Sequence, residues 1–238
     1  MSRAFASASS QDITVGAAGS FNAPHTTRIA SFGGVFKVSD AEAVALHAFM
    51  GSTINTGERG HCLERDNLGG VTEDHALFGT VSKGAGGVYS SGLYKDGTIT
   101  DAEWHALVCA LDASTADLYK DGAALSATQY GVGGTQAGDQ TGALRIGSVA
   151  GTFYLNGGAA RVFEMSAKLN TKQNAYVGAG LDPRGLGSVL NSLTMFADMI
   201  RGARLGWPGP GKFTWTPSAS APTEADHPSR IFRRKRMF

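Results

Sequence analysis

The chain has 238 residues, 42% of them hydrophobic and 17% charged, with a formal net charge of +1. That length and composition support a sizeable packed core and exclude a largely disordered chain, while near-neutrality gives no overall field for nucleic acid or an anionic membrane. Glycine is the outlier at 33 residues, nearly twice the usual share of about 7%, which points to many tight turns and an all-β domain.

The opening MSRAFASASS has a basic residue but no apolar stretch behind it, so no signal peptide is expected. No segment approaches the roughly 18 uninterrupted apolar residues of a membrane span, so no membrane partner is expected either. RIASFGGVFKVS, at 28–39, reads as a strand with a glycine-marked bulge or bend. VALHAFMGS (Val44–Ser52) reads as a second, and HCLERD and HALFGTVSK follow on either side of a Gly-Gly pair. EWHALVCALDA (Glu103–Ala113) is the longest apolar strand, bulky on both faces, and so belongs centrally in a covered sheet. ADLYKDGAAL, GALRIGSV and TFYLNGGAARVFEMSA complete the series. Short strands punctuated by turn residues predict a β-sandwich. LYKDG occurs twice, at Leu93–Gly97 and Leu118–Gly122, and reads as two Asp-Gly turns flanking one central strand rather than a duplicated module.

LNTKQNAYVG (Leu169–Gly178) is the one short helix, with Asn170 or Thr171 to cap it and Gly178 to end it. Leu186–Ile200 fits both a helical face and a strand alternation, and periodicity leaves the two open. Beyond residue 200 the composition changes, and five of the seven prolines fall in the stretch that follows. This divides the chain into a sandwich at 1–200 and an extended Pro-rich arm at 201–238. Trp207, Phe213 and Trp215 are apolar anchors that dock the arm on its own domain or on another subunit. The tip, RIFRRKRMF, holds five basic residues and no acidic one. Arg233, Arg234, Lys235 and Arg236 read as a subunit contact in preference to phosphate binding, because one short cluster on a near-neutral chain makes a poor nucleic-acid surface.

Chemistry-bearing patterns are sparse. Cys62 and Cys109 have no CxxC or Cys/His cluster around them and read as buried free thiols. The six histidines show no metal-ligand spacing, and no serine lies in a Gly-x-Ser-x-Gly elbow. GERGHCLERDNLGG reads as a charged loop whose Glu58, Glu64 and Asp66 form a candidate glycan or ion site without a recognised calcium pattern; the plainer reading is solvated loop carboxylates. No cofactor is expected.

The ordered set Trp104-His105, Tyr119-Lys120-Asp121-Gly122, Ile146-Gly147 and Tyr154–Arg161 resembles the laminin G-like branch of the concanavalin A-like lectin/glucanase superfamily. The resemblance implies a jelly-roll β-sandwich with a short helix, with Trp104 between the sheets, Tyr119 across a hairpin, and Asp121-Gly122 making its two-residue turn. Glucanases of the superfamily use carboxylates in a Glu-x-Asp-x-x-Glu run that this chain lacks, so no enzyme is expected. Arg3-Ala4-Phe5 at the start, then Gly180–Pro183, Leu193–Phe196 and Asp226-His227-Pro228, resemble a subgroup seen in tailed-phage virion proteins, and tilt Leu193–Met199 toward strand. That implies a non-enzymatic structural or decoration protein of a capsid or tail, oligomeric and bound to other virion subunits. The alternative is a carbohydrate-binding module for host-surface glycan.

Overall fold

A computed structural model describes residues 2–6, 9–16, 21–39, 46–52, 59–66, 75–83, 89–112, 115–129, 141–149, 153–198, 215–217 and 223–225. In chain order the strands are β1 (Ser2–Phe5), β2 (Ile13–Val15), β3 (Ala30–Val38), β4 (His47–Gly51), β5 (Arg59–Asp66), β6 (Ala76–Lys83), β7 (Tyr89–Lys95), β8 (His105–Leu111), β9 (Ala116–Lys120), β10 (Ala123–Ala124), β11 (Thr128–Gln129), β12 (Leu144–Ile146), β13 (Gly157–Met165), β14 (Leu193–Asp198), β15 (Trp215–Pro217) and β16 (Thr223–Ala225). Helix α1 (Ala23–Thr26) precedes β3, and α2 (Thr171–Gly178) follows β13.

They form two antiparallel sheets packed as a jelly-roll sandwich, the class the resemblance implied. The first has the order β10-β9-β8-β3-β13-β1-β16, with β14 also on β13; the second is β11-β7-β6-β5-β4-β12-β2-β15. Between them lies one apolar cluster in which Phe32, Phe36, Leu107 and Cys109 of the first sheet meet Phe49, Leu63, Leu77 and Ile146 of the second. The Phe36 and Phe49 rings sit 5.0 Å apart across it. The first sheet is covered outside as well: Val108, Tyr119, Phe163 and Phe196 pack there with Leu169 and Val177. All seven residues of β8 are therefore buried, as its two-sided apolar pattern predicted. Each fully buried Phe or Leu contributes on the order of 1.5–3 kcal/mol.

The glycine pair in β3 marks a bend, but the extra residue is in its partner. The register between β13 and β3 shifts between Ala159 and Val162, opposite Phe36 and Gly34. A Cβ on Gly33 would stand 2.1 Å from the Leu107 carbonyl oxygen, and one on Gly34 2.5 Å from that of Arg161, so only glycine lets three strands close here.

Asn170 caps α2, accepting from the Gln173 amide while the Gln173 side chain accepts from the Asn170 amide. Such a cap stabilises by about 1 kcal/mol. Although the helix ends at Gly178, the left-handed stop is Gly180 (φ +69), whose amide donates to Val177 O at 2.8 Å. Gly178 instead lies flat against the β9–β10 turn, with no room for a Cβ between it and Gly122. The open segment at 186–200 resolves into a 3-10 turn, Gly187–Ser192, followed by β14.

In the Pro-rich segment, β15 pairs with β2 and β16 with β1. Trp215 is thus a backbone partner of Val15. Trp207, Phe213, Arg233, Arg234, Lys235 and Arg236 lie outside the described residues.

Candidate functional site

Trp104 does not lie between the sheets. It packs with Val35, Ala106 and Ala160 on the outer face of the first sheet. The cause is strand alternation: Leu107 and Cys109 take the inner face, which sends Trp104 and Ala106 outward. Tyr119 also faces outward, beneath α2, with Ala124 opposite it across the hairpin. Asp121 and Gly122 have φ of +52 and +83, as a two-residue turn from Lys120 to Ala123 requires. Ile146 is in the core, and Gly147 (φ +82) faces the Phe5 ring with no room for a Cβ.

His105 clasps that hairpin. Its Nε2 is 2.7 Å from Asp101 Oδ1 and its Nδ1 2.9 Å from Asp121 Oδ2, while Asp121 Oδ1 accepts from the Ala106 amide at 3.0 Å. Partial burial raises the Asp101 pKa, but hydrogen bonds from His105 and the Glu103 amide outweigh it and hold the carboxyl below its ordinary value. The cluster ties the turn of the hairpin to the start of β8.

The reading of residues 57–70 as a charged loop is corrected, and that of HCLERD as a strand holds. Residues 59–66 are strand β5, paired with β6 along its whole length and with β4. Glu58 lies outside the described residues, and Asp66 closes the strand opposite Ala76. Glu64 is only 5% exposed, not solvated. Its neighbour Leu63 takes the core side, so Glu64 faces out from the second sheet and accepts from the Cys62 thiol at 3.2 Å.

Register assembles two rows across that outer face. Tyr94 stands opposite Phe78, Phe78 opposite Glu64, and Glu64 opposite Ala48. The row is extended by Phe153, whose carbonyl accepts from the Ala48 amide at 3.1 Å. The adjoining row runs Gly92, Thr80, Cys62, Gly51, Arg145 and Thr14. Phe78 and Tyr94 stack at 5.4 Å with rings 17° apart. Small residues occupy the middle, and Val149 settles over Gly51, where a Cβ would meet it at 2.9 Å. Val149, Ala48 and Cys62 form a compact apolar floor. Arg145 donates from Nη1 to the buried Asp12 Oδ2 at 2.7 Å, which also accepts from Ser148 Oγ at 2.7 Å.

Aromatic and polar groups therefore border a floor of small residues, with Glu64 the carboxylate within the two rows. The floor is covered while Tyr94 is half-buried and Phe153 and the Arg145 side chain are 43% and 30% exposed. No group of three or more metal-ligating side chains occurs among the described residues. Nor is any helix among them long and apolar enough to cross a membrane. Sequence reasoning found Glu64 but missed the rest of its row, which lies on four other segments.

A second unforeseen arrangement joins the sheets. His61 of β5 and Glu164 of β13 are both fully buried, with Nε2 and Oε2 3.1 Å apart. The Phe32 ring lies 4.8 Å from the imidazole. Cys62 and Cys109 are both buried and free, as expected. Burial pushes the Cys109 thiol far above its ordinary range.

No family model matches the chain, and no curated protein matches it. Among solved structures it is similar to a candidate carbohydrate-binding protein from Bacteroides ovatus, with TM-score 0.63 and 17% identity over 94% of this chain and 61% of that one. The chain thus spans about three fifths of that protein. It also matches the CBM40 of the Ruminococcus gnavus IT-sialidase, at TM-score 0.49 and 13% identity over 64% and 84% of the two chains. Domains LG4-5 of the mouse laminin alpha1 chain match at TM-score 0.46 and 11% identity over 67% and 41%. At these identities the likeness to the Bacteroides protein is one of fold alone: a sandwich of two antiparallel sheets.

Proposed function

We propose that the chain is a non-catalytic carbohydrate-binding module whose site is the outer face of the second sheet. The observation that carries this reading is the register row Tyr94–Phe78–Glu64–Ala48, with Phe153 hydrogen-bonded through its carbonyl to the Ala48 amide at its end. Its floor, Phe78, Glu64 and Ala48, is buried, while half-buried Tyr94 and the 43% exposed Phe153 present aromatic surface of the kind that packs on the apolar face of a sugar. The likeness to the Bacteroides protein over 94% of this chain supports it at the level of fold. Hydrolysis by paired carboxylates needs two carboxyl groups about 5–5.5 Å or 6.5–9.5 Å apart across the scissile bond. The two rows supply one. A glycan array with the intact chain, followed by calorimetric titration, is expected to give saturable binding with a dissociation constant of about 1 mM or tighter. Absence of binding to every immobilised sugar would contradict the reading.

A second reading, a structural subunit of a phage capsid or tail, is favoured by the Pro-rich, basic-tipped segment and by the ordered sequence resemblance from Gly180 to Pro228. Because β15 and β16 extend both sheets, a fair test removes only the residues after Ala225. If the reading holds, the shortened protein folds but fails to enter particles; normal incorporation sinks it.

A further inference from the structure

Among the described residues two large apolar side chains are exposed, Ile29 and Phe153, and Phe153 is the one with positive φ, at +52. A side chain at such an angle is strained, and phenylalanine more than most, because its Cβ crowds the backbone. Packing ordinarily compensates strain of this kind by burying the ring. Here the ring is 43% exposed, so packing does not account for it.

The backbone around it is firmly held. Gly147 donates to Phe49 O at 3.0 Å, Leu155 donates to Gly147 O at 2.8 Å, and the Asn156 amide donates to His47 Nδ1 at 3.3 Å. Leu155, two residues on, is fully buried in the core. With its own carbonyl tied to Ala48 and Leu155 anchored in the core, Phe153 is held from its C-terminal side at its left-handed angle. Strain maintained by surrounding structure at a solvent-facing residue is the usual mark of a ligand contact.

We infer that Phe153 is a preformed stacking platform for an uncharged pyranose, an inference that rests on the carbohydrate-binding reading and names the sugar class its site takes. The aromatic face receives the C–H-bearing side of the ring, as its negative quadrupole favours. Two strand spacings, about 10 Å, separate Phe153 from Glu64 along the row, and two residues of β5, roughly 7 Å, separate the Glu64 and Cys62 levels at which Phe153 and Arg145 stand, the extra residue of β4 being taken up by its bulge. A disaccharide spans those distances, with one ring on Phe153 and its neighbour within reach of the polar groups. Arg145 is already matched by Asp12, so among the described residues of the two rows no cation is left unbalanced, which favours neutral sugars over acidic ones.

The test is calorimetric titration of the intact chain with cellobiose and lactose, and with sialyllactose as the charged comparator, alongside thermal unfolding. Phe153→Gly removes the platform and relieves the strain together. It is expected to weaken binding of the neutral disaccharide at least tenfold while the melting temperature holds or rises, and Phe153→Trp is expected to retain binding. Unchanged affinity in Phe153→Gly overturns the platform and leaves the carbohydrate reading standing. A melting temperature lowered by several degrees overturns it also, because the ring would then be a packing residue. Preference for sialyllactose overturns the choice of sugar class, and no binding of any of the three by the unaltered chain overturns the platform.

Discussion

Replacing His61 with alanine is expected to lower the free energy of unfolding by about 3–5 kcal/mol, the range for stripping one partner from a buried ion pair. His61 and Glu164 face each other between the sheets, and neither is exposed. Glu164 Oε1 has no hydrogen-bond partner, so Oε2 carries the polar contact with the imidazole. Without the imidazole, the Glu164 carboxyl loses this partner in an apolar interior, and a buried polar group left unpartnered there is costly. The converse experiment separates this from simple loss of packing. With His61→Leu and Glu164→Leu together, no buried charge remains, and most of the lost stability is expected to return. Urea unfolding of the two single variants and the double closes the cycle. Stability of His61→Ala within about 0.5 kcal/mol of the parent, the level of an unremarkable surface change, contradicts the account.

The second large effect concerns the paired LYKDG segments. Gly122 has φ +83, and its missing Cβ would stand 2.7 Å from the Ala175 Cα of α2; Gly97 has φ +59 and nothing within 4 Å. Gly97→Ala meets only the left-handed penalty, about 1–2 kcal/mol. Gly122→Ala meets that penalty and must also push the helix off the hairpin, disturbing the packing of Val177 and Tyr119. A total of about 3 kcal/mol or more is expected, since displaced buried side chains contribute 1.5–3 kcal/mol each. Thermal or urea unfolding of both variants checks the contrast; equal losses would mean that the helix does not bear on the turn. The two segments share a sequence but not a job. The second closes a hairpin within the first sheet, whereas the first leads from β7 of the second sheet toward β8 of the first. They do flank β8, as the repeat implied.

What the sequence revealed depended on whether a signal was local. β8 was legible because seven successive buried residues leave a continuous apolar run. The hairpin was legible because Asp-Gly is one of few dipeptides that accept two left-handed angles, and α2 because Asn170 and Gln173 form a capping box. Trp104 was misplaced for a definite reason: both faces of its sheet are covered, so apolar character cannot distinguish inside from outside. β5 was read both as a strand, from HCLERD, and as part of a charged loop, because His61, Glu64 and Arg65 are all buried, which reverses the usual equation of charge with solvent. The candidate site was least legible. Positions 48, 64, 78, 94 and 153 become neighbours only through long-range register, and nothing local to Phe153 announces a strained backbone.

The most direct test of the central claim is hydrogen exchange on the intact chain with and without a saturating glycan identified on the array. Binding at the outer face of the second sheet predicts slowed exchange in β4, β5 and β6 and at residues 147–156, with the β9–β10 hairpin and α2 unchanged. Protection confined to that hairpin and helix, on the outside of the first sheet, would contradict it.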